Sequence, residues 1–215
     1  MKAPSVNDEH RCLGHIAALL MAAAMACVPS HDFTEAGPVF ASASDVQGIR
    51  AFNIPNWSGT EPHNGIDMLV DPALARARVI SPVDANVSSI RTSENPYSNP
   101  PGDLLLSVEL YVNPEWSAVL VFEPVTADAG VKTAQRDAIL VHEGDEVVTG
   151  SDIGDLLVGT PREAHVHYML HRNGSPVCAY AFSSAAAKAQ FDQAADAGVT
   201  TGLTSLPDGR LCYGQ

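Results

Sequence analysis

The chain has 215 residues, with 12 Lys and Arg against 25 Asp and Glu, for a formal charge of −13. Hydrophobic residues make up 46% and charged ones 17%, ordinary soluble usage that excludes a disordered, collagen-like or coiled-coil chain. With three lysines in all (Lys2, Lys132, Lys188) and singly scattered arginines, the chain has no basic stripe for neutralising phosphates, so nucleic acid is excluded as a partner.

The first element in chain order is an address. Met1 to His15 is polar and carries Lys2 and Arg11, and Ile16 to Ala26 is an uninterrupted apolar run of 11 residues. A bilayer span needs about 20 residues, so the run predicts no transmembrane span. It predicts a signal peptide over 1–26, with Ala24-Met25-Ala26 as the cleavage pattern and export to the periplasm or the extracellular space. The alternative is an apolar helix fraying from a cytosolic domain, because Asp8 and Glu9 dilute the positive charge ahead of the run. A lipid anchor on Cys27 is the weaker option, since Ala24 stands where lipoprotein signals carry a bulkier aliphatic residue. Residues 27–45, rich in Pro, Ser, Ala and Gly, read as a tether. Cys178 and Cys212 remain in the folded part. They are either two buried thiols or, in an oxidising compartment, a bridge contributing roughly 3–4 kcal/mol.

From Val46 onward, short apolar or alternating runs are bounded by Gly, Pro, Asn and Asp. They predict antiparallel strands at Arg78–Ile80, Asn86–Ile90, Leu104–Val112, Ser117–Phe122, Ala138–Val141, Glu146–Val148, Ile153–Val158 and His165–His171. Asn95 to Asp103 and Pro124 to Arg136 read as loops. Gly144-Asp145-Glu-Val147-Val-Thr-Gly150-Ser-Asp-Ile153-Gly154 reads as a hairpin with glycines at its turns. The convincing helix is Ala185 to Ala197, capped by Ser183 or Ser184 and ended by Gly198. The expected fold class is all-β: a single twisted antiparallel sheet over 46–182 with long loops, then a helix and tail over 183–215.

The histidines carry the chemistry. On a strand, His165-Val166-His167 places both imidazoles on one face, which suits a metal site, although the motif in isolation more often marks two half-exposed histidines on a polar face. The ends of His63-Asn64-Gly65-Ile66-Asp67 would lie roughly 13 Å apart if extended, so sharing one ion requires a bend. Asn64-Gly65 is placed to supply it through positive φ.

In this order, the two histidine segments, the Gly144–Gly154 pattern between them and the following His171-Arg-Asn-Gly-Ser-Pro-Val177 resemble the lysostaphin-type zinc metallopeptidases. This is the LytM-domain, Gly-Gly endopeptidase family, whose members cut peptides in bacterial cell walls; the resemblance covers about residues 46–182. It implies Zn2+ held by His63, Asp67 and His167 with a fourth position open. It also implies that His165 is poised over the attacking water or the developing oxyanion. The implied activity is that of an exported metalloendopeptidase acting on peptidoglycan cross-links or stem peptides, or on another extracytoplasmic peptide.

One position departs from the pattern. The family usually has another catalytic His on the strand before the long connection, and in Ser117 to Pro124 the matching residue is Glu123. Three roles stay open for it: a base or oxyanion-side group, an extra ligand that silences the metal, and a structural residue. The departure keeps a second reading alive, a catalytically inactive LytM-type domain that binds cell wall or activates a partner hydrolase. A lipoyl- or biotinyl-type carrier is set aside, because no lysine lies between Lys132 and Lys188. His142 and His171 read as surface residues, Tyr111 and Tyr168 as packing, and Trp57 and Trp116 as packing or groove-lining.

Overall fold

Side-chain alternation is strictest in three neighbouring strands, β5 (Leu104–Tyr111), β6 (Trp116–Glu123) and β9 (His165–Arg172), where nearly every second residue is buried. The computed structural model describes residues 29–54, 62–96, 102–158, 164–197 and 211–212. Residues 1–26, expected to be a signal peptide, together with Cys27, Trp57 and Gly198 lie outside the described residues. The remaining strands are β1 (Val46–Arg50), β2 (Ile66–Val70), β3 (Arg76–Ile80), β4 (Ala85–Glu94), β7 (Glu146–Val147), β8 (Asp152–Leu157) and β10 (Ser175–Val177); the α-helices are α1 (Ala129–Asp137) and α2 (Ala185–Ala197).

The main sheet runs β1-β2-β9-β6-β5-β4-β7, antiparallel throughout, with β10 folding back on the end of β9. Asn173 and Gly174, both at positive φ, form the two-residue turn of that last hairpin, a position that favours Asn-Gly over most other pairs. A separate two-stranded sheet pairs β3 with β8. The expected class holds: the protein is mostly β, built on an antiparallel sheet.

One face of the sheet is apolar because the alternation of adjacent strands is in register. Leu106 pairs with Phe122 and Phe122 with Val166, while Val108 pairs with Leu120 and Leu120 with Tyr168. All six are at most 1% exposed, and full burial of a side chain of this size contributes about 1.5–3 kcal/mol. The same core includes Ala77, Val79, Ile153 and Leu156 of the small sheet, Ala187, Phe191 and Ala194 of α2, and Ala36, Val39 and Phe40 ahead of β1.

Those last three residues fall within the stretch expected to be a tether. Gln190 of α2 holds two of them in place: its Oε1 accepts from the N–H groups of Val39 (3.0 Å) and Phe40 (3.1 Å), and its Nε2 donates to the Phe40 carbonyl (2.8 Å). A short apolar cluster without periodicity reads as a linker, and its partner lies some 150 positions away in sequence.

Other local expectations are corrected. The connection after Pro124 contains α1, started by Asp128, whose side chain accepts from the N–H of Val131 at 2.9 Å. Gly130, Val131 and Thr133 weaken its helix propensity, and α1 is fastened by tertiary bonds: buried Gln135 donates to the Asp155 carbonyl and accepts from the Leu157 N–H. Residues 138–141 make an isolated bridge, Ile139 to Gly154, and no strand. The glycine pattern is not a hairpin, because β7 pairs with β4 in the large sheet and β8 with β3 in the small one; Gly144 and Gly150 do sit at turns with positive φ. The expected helix spans Ala185–Ala197, with Ser184 accepting from the Ala187 N–H. No helix among the described residues is long and apolar enough to cross a membrane.

Candidate metal centre

The opposite face of the main sheet carries polar side chains, and register decides which of them meet. Arg50 of β1 lies across from Asp67 of β2, Asp67 across from His167 of β9, and Glu123 of β6 across from His165 of β9. His63 enters from the segment before β2. Its backbone pairs with the chain ahead of it, accepting from the Asn53 N–H at 2.6 Å and donating to the Ile54 carbonyl at 2.8 Å.

The bend between His63 and Asp67 does not use positive φ, which among the described residues occurs elsewhere. Gly65 serves a different purpose: a Cβ there would lie 2.7 Å from the Tyr168 carbonyl oxygen and 2.8 Å from the His167 ring. Absence of a side chain lets the bend press against β9. Gly65→Ala is therefore expected to displace backbone or ring, at about 1–3 kcal/mol of stability as for other overpacked sites. Urea unfolding of the metal-free protein checks this, and an unchanged midpoint would contradict the close packing.

Three donor atoms converge. His63 Nε2 is 3.1 Å from Asp67 Oδ1 and 3.2 Å from His167 Nδ1, and His167 Nδ1 is 2.6 Å from Asp67 Oδ1. Donors around one tetrahedral zinc lie about 3.3 Å apart, so this set fits such an ion after a small expansion. The partners of the far ring nitrogens point the same way. The Ala51 carbonyl, 2.8 Å from His63 Nδ1, can only accept, and Asn64 Oδ1 accepts at 3.1 Å from His167 Nε2. The other nitrogens of the two rings, His63 Nε2 and His167 Nδ1, both face Asp67 Oδ1, and in the neutral tautomer each would offer its lone pair to a cation held there. Such orienting bonds behind metal-ligating histidines are the usual means of fixing the tautomer.

Asp67 is 2% exposed. Burial pushes its carboxyl pKa up, but His165, His167 and His63 together outweigh that and hold it well below the usual carboxylate range. Its second oxygen, Oδ2, is 2.5 Å from the Arg50 guanidinium. The site is therefore supplied with an ionised carboxylate at neutral pH.

His165 and Glu123 stand beside this group. His165 Nε2 is 3.5 Å from Glu123 Oε2 and 3.8 Å from Asp67 Oδ2, and Asn95 Nδ2 donates to Glu123 Oε2 at 3.3 Å. The metal-competent group among the described residues contains His63, Asp67 and His167, with donor atoms within 4.8 Å of one another, and does not extend to Glu123. His171 lies on the same face but outside the group; burial lowers its pKa, with Glu109 opposing and His167 assisting. His142 is exposed, Tyr168 is fully buried in the core, and Trp116 stacks on Phe33 with ring centroids 4.1 Å apart. Sequence reasoning missed Arg50, the Ala51 carbonyl, Asn64 as an acceptor and Asn95, all of which act across pairings that the motifs do not encode.

Sheet and donor set together define a mostly β protein with a candidate His/Asp/His metal centre. No protein-family model matches the sequence, and no curated protein matches it. Among solved structures, a chain of the SpoIIQ–SpoIIIAH pore-forming complex is similar at a TM-score of 0.51 and 14% identity, over 71% of this chain and 93% of that one. A zinc-containing peptidase from Vibrio cholerae is similar at 0.45 and 23% identity, over 67% of this chain and 39% of that one. Lysostaphin is similar at 0.41 and 14% identity, over 79% of this chain and 59% of that one. The chain thus spans most of the first neighbour but less than two thirds of the other two.

Proposed function

We propose that the chain is an exported zinc metalloendopeptidase that hydrolyses peptide bonds in peptidoglycan cross-links or stem peptides, or in another extracytoplasmic peptide. One observation carries the reading: His63 Nε2, His167 Nδ1 and Asp67 Oδ1 meet at 2.6–3.2 Å, while the Ala51 carbonyl and Asn64 Oδ1 engage the far nitrogens of the two rings. His63, Asp67 and His167 would hold the ion. When bound, zinc supplies the Lewis acidity for amide hydrolysis, polarising the scissile carbonyl and acidifying the attacking water.

The chain's own residues handle the protons. His165 shares the face of His167, and its Nε2 lies at the edge of the donor group, where it can donate to a substrate oxygen or to the leaving nitrogen. Glu123, paired with His165 across β6 and β9, takes the position of the family's further His; its carboxylate receives and returns a proton beside that imidazole. Asn95 steadies the same carboxylate oxygen.

The test uses the zinc-loaded chain with purified peptidoglycan and cross-link peptides. Glu123→Gln is expected to slow cleavage by roughly 10²–10⁴-fold, the ordinary contribution of a positioned acid or base, with zinc content unchanged. Undiminished cleavage would end the catalytic role of Glu123. The second reading, an inactive domain that binds cell wall or activates a partner hydrolase, is favoured by the Glu123 departure and by the likeness to a component of a pore-forming complex. A wild-type chain that binds zinc and cleaves none of these substrates would select it.

A further inference from the structure

We propose that Arg50 is a positioning residue of the metal centre: its guanidinium occupies one oxygen of Asp67 so that the other alone is offered to the ion. The inference rests on the zinc reading above and concerns how the carboxylate is presented.

The two oxygens of Asp67 face different partners. Oδ1 meets His63 Nε2 at 3.1 Å and His167 Nδ1 at 2.6 Å, while Oδ2 meets Arg50 Nη1 at 2.5 Å. Both side chains are well inside the protein, with 13% exposure for Arg50 and 2% for Asp67. The contact is built into the sheet, because Arg50 and Asp67 are cross-strand partners in the β1–β2 register. A carboxylate with no fixed partner can turn about its last torsion and chelate a metal through both oxygens. Here the guanidinium, charged at every working pH and rigid in shape, opposes that turn.

A second consequence follows from charge. Asp67 supplies the negative charge of a donor set otherwise made of neutral imidazoles, and Arg50 offsets it at contact distance. The oxygen facing the ion is thereby a weaker electron donor, which leaves a bound divalent ion more electron-poor and more Lewis-acidic. Partners one shell removed from the ion commonly tune metal sites in this way. A salt bridge that served only to hold β1 against β2 would affect stability and leave the metal's coordination unchanged.

Cobalt(II) distinguishes the two roles, because four-coordinate cobalt absorbs far more strongly in the visible than five- or six-coordinate cobalt. The full chain and its Arg50→Met and Arg50→Lys variants are stripped of metal, loaded with cobalt for spectroscopy, and titrated with zinc against a chromophoric chelator. Arg50→Met is expected to weaken the visible band, as Asp67 chelates through both oxygens, and to change zinc affinity by about 10–100-fold. Arg50→Lys, which restores a cation against Oδ2, is expected to recover the wild-type band. Wild-type spectrum and affinity in Arg50→Met would overturn the proposal while leaving the zinc reading intact. A wild-type chain that takes up neither metal would overturn both. If Arg50→Met does not fold, Arg50→Gln replaces it, and wild-type behaviour there overturns the proposal equally.

Discussion

His167→Ala is expected to empty the centre. After exhaustive dialysis the wild-type chain should retain about one zinc, the stoichiometry of a single three-donor site with an open position. Removing one donor of three takes away roughly a third of some 10 kcal/mol, which weakens binding by about 10²–10³-fold. The change is local, because His167 lies on the polar face of β9 while Val166 and Tyr168 hold the strand in the core. His171→Ala is the control: it truncates a histidine on the same face, outside the donor group, and should leave the zinc content unchanged. Elemental analysis of the three proteins decides the matter. Zinc retained at full stoichiometry in His167→Ala would mean that the ion sits elsewhere.

Loss of the Cys178–Cys212 disulfide should have the largest effect on stability. The bond joins the end of β10 to the tail across 34 positions, with Cα atoms 5.6 Å apart. Constraining an unfolded chain over a loop of that length stabilises the native state by about 3–4 kcal/mol, which in a protein of this size corresponds to a Tm shift on the order of 10 °C. The effect extends to the metal centre. Leu211 accepts from the N–H of Phe52 at 3.0 Å, and the adjacent Ala51 carbonyl orients the His63 ring. A freed tail removes that support from the turn carrying Ala51. The double variant Cys178→Ala, Cys212→Ala is therefore expected both to melt earlier and to bind zinc more weakly. An unchanged melting temperature with intact zinc affinity would show that the tail contributes to neither.

Strands with local signals were readable from the sequence. Leu104 to Tyr111, Trp116 to Glu123 and His165 to Arg172 are short runs rich in β-branched, aromatic and other apolar residues and bounded by turn residues, which reports strands without knowledge of their neighbours. The helix at Ala185–Ala197 carries both its residues and its Ser cap in one short stretch. Strand β2 left no such pattern, because all five residues from Ile66 to Val70 are buried and no alternation survives. Helix α1 was hidden by Gly130, Val131 and Thr133 and depends on the long-range bonds of Gln135.

The site divides in the same way. Strand parity places His165 and His167 on one face by local geometry, but each short motif alone left a bland reading open, and it was the resemblance of the segments in order that implied roles for His63, Asp67, His165 and His167. Glu123 could be named from its strand and the family pattern, but its distance to His165 is a matter of β6–β9 register. That Gly65 is needed for close approach to β9, that Ala51 and Asn64 engage the far nitrogens of the two rings, and that Arg50 holds the second oxygen of Asp67 are facts of pairing between strands and turns distant in sequence. Sequence by itself determined which side chains are candidates for the site, since residue identity and local periodicity are encoded along the chain. Tertiary structure alone decided how those side chains are oriented and charged, since register and burial exist only once the sheet has closed around them.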